Sequence, residues 1–350
     1  MAKKAKIWTG AEWVDLSPAV ADLSNYANLT TNQPSFRNFL INGGMDIAQR
    51  GTSITRGNVD GYTLDRWYAS GYGSGQNFTI SRSSATPPTG FQYFQRIATT
   101  TTSGTNLFIS QSLETSNVVP MQGRTVTLSF RYRLPVNFTN AWTAQVYWST
   151  ATDANLTPAT SKTSIASKTL TNTTSWTADS LTFVVPATAT ALSVEFITTG
   201  NVVNGAQFDF TGVQLELGSI ATPFERRLIG AELALCQRYF CSSFQIGIAP
   251  ANNLGSNAST GGNNLMTFAP TVGNSYSTWK TFPITMRRTA DITIYNVGSV
   301  ANTWDCYNST GSVGNITPVI TASSNGFTSY IQSNATITVA NGAWAASAEL

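Results

Sequence analysis

The sequence predicts an all-β protein: a jelly-roll β-sandwich, then a short linker helix, then a second, smaller β domain. Apolar residues recur with period two along nearly every ordered stretch, clusters of Gly, Asn, Thr and Pro separate those stretches, and only one segment has a helical period. Many short strands joined by polar turns suit a sandwich or jelly roll. No repeat of roughly 20 to 50 residues is present, which disfavours a β-helix or propeller.

From the N-terminus, residues 1–34 contain Trp8-Thr9-Gly10-Ala11-Glu12-Trp13, the pattern of a small hairpin, followed by a polar stretch up to Pro34. This part is too small to fold alone and reads as an attachment peptide. Residues 35–227 form the main β domain. Within 125–134, Val126, Leu128, Phe130, Tyr132 and Leu134 share one face while Thr127, Ser129, Arg131 and Arg133 take the other, as in a half-buried strand. The pattern returns in Trp142/Ala144/Val146/Trp148, in Leu192/Val194/Phe196, and in Phe208/Phe210 leading to Val213/Leu215/Leu217. The Ser, Thr and Pro cluster at 83–90 breaks structure between strands.

Residues 228–240 form the linker helix, because Ile229, Leu233, Cys236 and Phe240 fall at spacings of four, three and four and make one apolar stripe. A helix of about three turns is marginal in water, so the stripe must pack on something. It either joins the core of its own chain or meets copies of itself about a two-fold or three-fold axis. Residues 241–350 form the second β domain, opening loosely and then giving strands near 279–284, 291–296, 327–331, 336–339 and 343–350.

Charged residues make up 11% of the 350, and 20 Lys+Arg stand against 17 Asp+Glu for a net charge of +3. That balance supplies no dense basic face, so no nucleic-acid partner is expected. The chain has no histidine, which removes Ser-His-Asp and Cys-His catalysis, His-ligated zinc and any imidazole switch. Carboxylate-only glycoside hydrolysis survives that filter but finds no pair. Asp209 and Glu216 lie seven apart on a strand, on opposite faces and more than about 20 Å apart, against roughly 5 to 9.5 Å for catalytic pairs. Asp60 and Asp65 could approach only through a turn, and no enzyme is expected. Cys236, Cys241 and Cys306 form neither a C-x-x-C pair nor an even-numbered framework, so a disulfide scaffold is not expected. No run approaches the roughly eighteen apolar residues of a membrane span, and no membrane insertion is expected. The opening MAKKAKIWTGAEWVDL lacks the apolar region of a signal peptide, although the Ser, Thr and Asn richness suits an exposed protein. Folding in a cytoplasm and release by lysis would reconcile the two.

Residues 38–46, NFLINGGMD, resemble the opening strand of jelly-roll carbohydrate-binding modules, and 208–218, FDFTGVQLELG, resemble their closing strand. INGGMDIAQRG at 41–51, YTLDRWY at 62–68, VQLELGSIATPFE at 213–225 and CQRYF at 236–240, in this order, are similar to a family of tailed-bacteriophage appendage proteins of the tail-fibre or capsid-fibre kind. IWTGAEWVDL at 7–16 resembles the leader of phage fibre proteins. The resemblance implies a virion protein, assembled in the host cytoplasm, that attaches to other virion proteins through its N-terminus by way of Trp8 and Trp13. It also implies host-surface glycan as partner, and a Ca2+ ion held by Asp46 and Asp209 with carbonyls near Gly43 and Gly44.

Sugar binding uses aromatic faces flanked by polar side chains. The candidates are Trp67, Tyr68 and Tyr72 before a glycine-rich stretch, Tyr147 on a central strand, and Trp279 and Trp304 among Asn and Ser of the second domain. Strand parity puts Trp142 and Trp148 in the core with Val146, and Tyr147 on the opposite face with Thr143 and Gln145. The expected function is receptor binding by a homotrimer that oligomerises through Ile229, Leu233, Cys236 and Phe240, a stripe that serves a dimer equally well. The alternative is a ligand-free capsid-decoration or tail-adaptor protein, which a long symmetric contact along that stripe would favour.

Overall fold

A computed structural model describes residues 6–8, 13–15, 36–56, 60–72, 78–101, 103–104, 106–136, 141–157, 161–198, 200–253, 264–267, 275–333 and 336–350. The jelly-roll expectation holds: the main domain is two six-stranded antiparallel sheets packed face to face. One sheet runs Thr177–Val184, Thr125–Val136, Gln207–Leu217, Phe94–Thr99, Phe78–Ser83, Ser53–Arg56. The other runs Thr163–Thr169, Trp142–Ser149, Ala191–Thr198, Asn106–Leu113, Tyr68–Tyr72, Gly61–Tyr62. After residues on their outer faces they are the Arg131 sheet and the Tyr147 sheet.

Period two works out as the core between them. Leu128, Phe130 and Tyr132 from one sheet meet Trp142, Val194 and Phe196 from the other, all buried. Trp142 stacks on Phe208 with centroids 4.2 Å apart, and Phe130 meets Phe196 edge-on at 5.0 Å. Ahead of the sandwich, Lys6–Trp8 and Trp13–Asp15 pair antiparallel with Trp8 opposite Trp13, as the hairpin pattern predicts.

In the second domain, the strand Val339–Ser347 is the hub. It pairs with Phe240–Ser242, Asn264–Thr267, Asp291–Tyr295 and Trp304–Asn308, and the last of these turns back as Gly311–Ile316. A separate three-stranded sheet joins Ser275–Thr281, Gly326–Gln332 and Val319–Ala322. Residues 336–339 form no strand of their own and mainly lead into the hub. The hairpin of Trp304–Asn308 with Gly311–Ile316 has no apolar alternation strong enough to announce it. All three cysteines are free and buried. Burial pushes the Cys241 thiol up to about 12 and that of Cys306 to about 11, which makes both poor nucleophiles. No helix among the described residues is long and apolar enough to cross a membrane.

The helix spans Ile229–Gln237, and its stripe corrects the oligomerisation expectation. Cys236, with Leu233 packed beside it, is buried against Ile41, Ile47 and Tyr239, because the 41–51 segment crosses the same face. Phe240 is buried in a strand with the Arg50 guanidinium 3.8 Å above its ring. Three of the four stripe residues are thus used inside the chain. Ile229 alone stays exposed, at 62%, beside Leu228 at 84%.

Three of the four sequence blocks, 41–51, 62–68 and 236–240, converge at this junction. Arg66 is buried, stacks 3.6 Å from the Tyr239 ring, donates to Ser112 O at 2.7 Å and pairs with Glu349. Its backbone is held in the left-handed region, with φ 69°. Arg50 reaches the other oxygen of Glu349 at 2.9 Å. Asp65 accepts from the Gln49 backbone and side chain, both at 2.6 Å, and Gln49 also donates to Phe240 O at 2.7 Å. From the second domain, Arg287 donates to Ala348 O at 3.0 Å and Glu349 O at 2.9 Å. The two domains therefore hold residues 348–350 between them.

Removing one partner of a buried ion pair strands the other charge. Glu349→Ala is expected to cost about 3 to 5 kcal/mol in urea denaturation, and Arg66→Met combined with Glu349→Leu should recover part of that loss. A second check is the acid limb of stability. Burial opposes ionised Glu114, but hydrogen bonds from Tyr239 and Arg238 outweigh it and hold its carboxyl below the ordinary 4.5. A depressed folded-state pKa stabilises above the unfolded value and loses that contribution as pH falls through the folded one. Glu114→Gln should flatten the acid limb of the denaturation midpoint below about pH 4.5.

Candidate functional site

Register builds one continuous row across the outside of the Tyr147 sheet. Tyr68 pairs with Ser110, Ser110 with Glu195, and Glu195 with Gln145. Tyr147 opposes Ser193 in the neighbouring row. The strands of Tyr68 and Tyr147 are three spacings apart, about 14 Å. Between the tyrosines the face is polar yet closed to solvent: Ser70, Ser110, Ser193 and Glu195 are all buried.

Residues 155–157 and Lys162 explain that burial by lying over the face. Leu156 N donates to Ser112 Oγ at 3.1 Å, the Thr157 and Ser110 hydroxyls bond one another, and Lys162 Nζ donates to Glu195 Oε1 at 2.6 Å. Ser193 Oγ donates to the same carboxylate at 3.3 Å. Burial raises the Glu195 pKa, and the Lys162 charge works against that rise. The Lys162 ammonium also sits 4.3 Å from the Tyr147 ring centroid, and the Tyr147 hydroxyl donates to Gln145 Oε1. Tyr147 is therefore fixed by its neighbours, and Lys162 with Glu195 leaves the centre of the face without net charge. Ser70 Oγ has no hydrogen-bond partner among the described residues. Rigid aromatic rings and paired charges suit a neutral, hydroxyl-rich ligand.

The expected aromatic residues scatter. Tyr68 and Tyr147 share this face, both half-buried, with Tyr68 edge-on to Tyr62 at 5.2 Å. Tyr72 pairs with Asn106 in the backbone, and its side chain lies outside the described residues, as do those of Trp8 and Trp13. Trp67 is no platform: it is buried, edge-on to Phe210 at 5.3 Å, with Nε1 donating to Asn42 O. Trp304 is likewise core. The hub strand passes so close that a Cβ on Gly342 would lie 1.8 Å from the indole Cδ1. Trp279 is 51% exposed and donates from Nε1 to Thr281 Oγ1 at 3.1 Å.

The calcium expectation is also corrected. Asp209 is fully buried, and both its oxygens accept guanidinium hydrogen bonds, from Arg96 Nε and Nη2 and from Arg133 Nε, each at 2.8 Å. A divalent cation there would have to enter between two positive charges, so this donor set does not fit calcium. Asp46 packs against Gly44, and burial raises its pKa while Arg226 counters. No group of three or more metal-ligating side chains occurs among the described residues.

Sequence reasoning missed Lys162, Glu195, Ser70 and Thr157. Glu195 stands between Val194 and Phe196, and alternation reads it as solvent-facing. Only the crossing segment, far away in register, buries it.

No family model matches the chain, and no curated protein matches it. Among solved structures, it is similar to the enzymatically active domain of bacteriophage CBA120 tailspike protein 4, with TM-score 0.37, 15% identity and coverage of 52% of this chain. It covers only 22% of that tailspike chain. It is similar to TmCBM61 in complex with β-1,4-galactotriose, with TM-score 0.32, 12% identity, and coverage of 52% of this chain and 99% of that one. It is also similar to the CBM22-1 xylan-binding domain from Paenibacillus barcinonensis, with TM-score 0.31, 17% identity, and coverage of 50% and 99%.

The two tryptophans separate experimentally. Trp304→Ala is expected to cost about 3 to 5 kcal/mol, and Trp279→Ala to stay within about 0.5 kcal/mol, both read by urea denaturation. For Glu195, a raised folded-state pKa contributes stability below 4.5 that is lost as pH rises through the folded value. The stability of the native chain relative to Glu195→Gln should therefore fall with pH across that window, as urea midpoints measured from about pH 4 to 8 would show.

Proposed function

We propose that this chain is a tailed-bacteriophage virion appendage protein that binds host-surface glycan on the outer face of the Tyr147 sheet, without cleaving it. The observation behind this reading is the pairing of Tyr68 and Tyr147 across a buried polar row whose charges cancel through Lys162 and Glu195. A saccharide needs rings for its C–H face and fixed polar groups for its hydroxyls, and Thr143 and Gln145, half-buried on the same face as Tyr147, offer the second. Trp279 is an exposed aromatic on the second domain and a further contact point.

The virion assignment rests on the four ordered blocks and the N-terminal hairpin, through which the chain would dock on other virion proteins. A homotrimer would present several weak glycan contacts together and gain avidity from repetition. With the helix stripe used internally, such an assembly would engage the exposed Leu228 and Ile229 or another surface. The same burial takes away the long symmetric contact that would favour a ligand-free adaptor. Against hydrolysis, Asp65, Asp209 and Glu349 are each engaged by guanidinium or amide groups, leaving none of them free for acid or base duty.

The test is to incubate the full chain with host cells and purified surface polysaccharide, measuring binding together with release of reducing ends. Binding without release is expected. Tyr68→Ala and Tyr147→Ala should each weaken binding by about tenfold at unchanged Tm. A folded sample that binds neither cells nor polysaccharide would transfer the assignment to the adaptor role.

A further inference from the structure

The opposite side of the sandwich holds a groove of different character. On the outer face of the Arg131 sheet, a cavity of about 420 Å³ is lined by Ser129, Arg131, Ser180, Gly212, Phe91 and Phe224, among others. Its roof is the SIATPFE part of the third sequence block, and that roof is pinned. Thr222 N donates to Glu216 Oε1 at 2.8 Å, Thr222 Oγ1 to Glu216 Oε2 at 2.5 Å, and Glu225 N to Gln214 Oε1 at 2.7 Å. Its floor is shaped for a ring. Gly212 sits at φ 63°, and a Cβ there would lie 2.6 Å from Phe91 Cζ, so the Phe91 ring rests directly on the backbone. Phe91 and Phe224 pack at 5.2 Å.

The charge around these rings is unbalanced. Arg226 stands 4.5 Å from the Phe91 centroid and 5.7 Å from that of Phe224, and Arg131 stands 6.0 Å from Phe91. Both arginines are exposed; Arg226 lies within electrostatic reach of the Asp46 carboxylate, but neither arginine makes an ion pair or side-chain hydrogen bond among the described residues. The carboxylate in the wall, Asp179, is already paired with Lys168. Alongside, Arg96 and Arg133 share the single carboxylate of Asp209, which leaves that row one positive charge in excess. A guanidinium stacked on a ring keeps its N–H edge free for an oxyanion.

We propose that this groove is a second saccharide site, selective for an acidic sugar: a pyranose bearing a carboxylate, as in a uronic acid. The sugar ring lies over Phe91 and Phe224, its carboxylate accepts hydrogen bonds from Arg131 and Arg226, and its hydroxyls meet Ser129 and Ser180. The volume suits a short stretch of chain rather than an extended polymer, since ligand pockets run from roughly 300 to 1,000 Å³. The neutral face of the Tyr147 sheet and this cationic groove would then read different sugars on opposite sides of one domain. The groove does not depend on the Tyr147 face being a glycan site.

The experiment titrates the full chain with a short galacturonate oligomer and with its methyl-esterified form, by calorimetry at low salt. The acid form is expected to bind, and the ester at least about tenfold more weakly because the guanidinium-carboxylate bonds are gone. The acid form should also weaken as salt is raised. Arg131→Ala with Arg226→Ala should lose about tenfold or more for the acid form, with circular dichroism confirming that the exposed substitutions leave the fold intact. Tyr147→Ala should leave galacturonate binding unchanged. Equal binding of acid and ester, an unaffected arginine double variant, full displacement by inorganic phosphate, or no galacturonate binding by folded protein would each overturn the proposal. If host polysaccharide binds and depends on Tyr147 while galacturonate does not bind, the groove fails and the host-glycan reading stands. Galacturonate binding with no host-polysaccharide binding would give the reverse result.

Discussion

The buried pair of Arg66 and Glu349, extended by Arg50, is the interaction on which the arrangement of the two domains depends. An ion pair closed off from water is costly unless its remaining donors and acceptors are met. Here they are met in part: Ser112 O takes one Arg66 donor, Tyr239 stacks on its guanidinium and Phe240 lies under Arg50, while Arg66 Nε and Arg50 Nη1 have no hydrogen-bond partner among the described residues. The left-handed backbone of Arg66 belongs to the tight turn that Trp67 N closes on Leu64 O at 2.9 Å, and that turn carries the side chain into the cluster. The helix stripe, the end of the hub strand and the 41–51 segment all pack around it.

That role explains why the most distinctive sequence blocks are not the ligand site. INGGMDIAQRG supplies Asn42, Gln49 and Arg50; YTLDRWY supplies Asp65 and Arg66; CQRYF supplies Tyr239 and Phe240. These residues are polar or aromatic because the junction must be polar inside. The third block alone does something different, since its turn after Glu216 forms the roof over the cationic groove.

The sandwich was legible because its strands are half-buried, and half-burial leaves a period of two in the apolar residues. Parity alone placed Trp142 inside and Tyr147 outside. It failed where exposure is decided by something other than the strand. Glu195 points outward and is still buried by a segment thirty-odd residues upstream, Lys162 among it. Trp304 has polar neighbours in sequence, but Gly342 on the next strand brings backbone flat against its indole. The helix stripe reads as a surface that must be covered, yet a 3.6-residue period does not say whether the cover is the same chain or another. The family resemblance makes Asp209 an ion ligand, and nothing local in the sequence contradicts that, since its strand partners, Arg96 and Arg133, are 113 and 76 residues away.

Those separations also govern time. Arg66 and Glu349 lie 283 residues apart in the chain, so their meeting carries one of the largest loop-closure costs in the fold. Until the second domain arrives, the groups that will flank Glu349 face water and the apolar patch around Cys236 lacks part of its cover. The sandwich and the second domain each have a core of their own, so the junction is where contacts of the greatest sequence separation gather. With that junction open, the Arg66 guanidinium and the apolar patch around Cys236 would stand bare side by side, so the end of the chain serves as the plug of both.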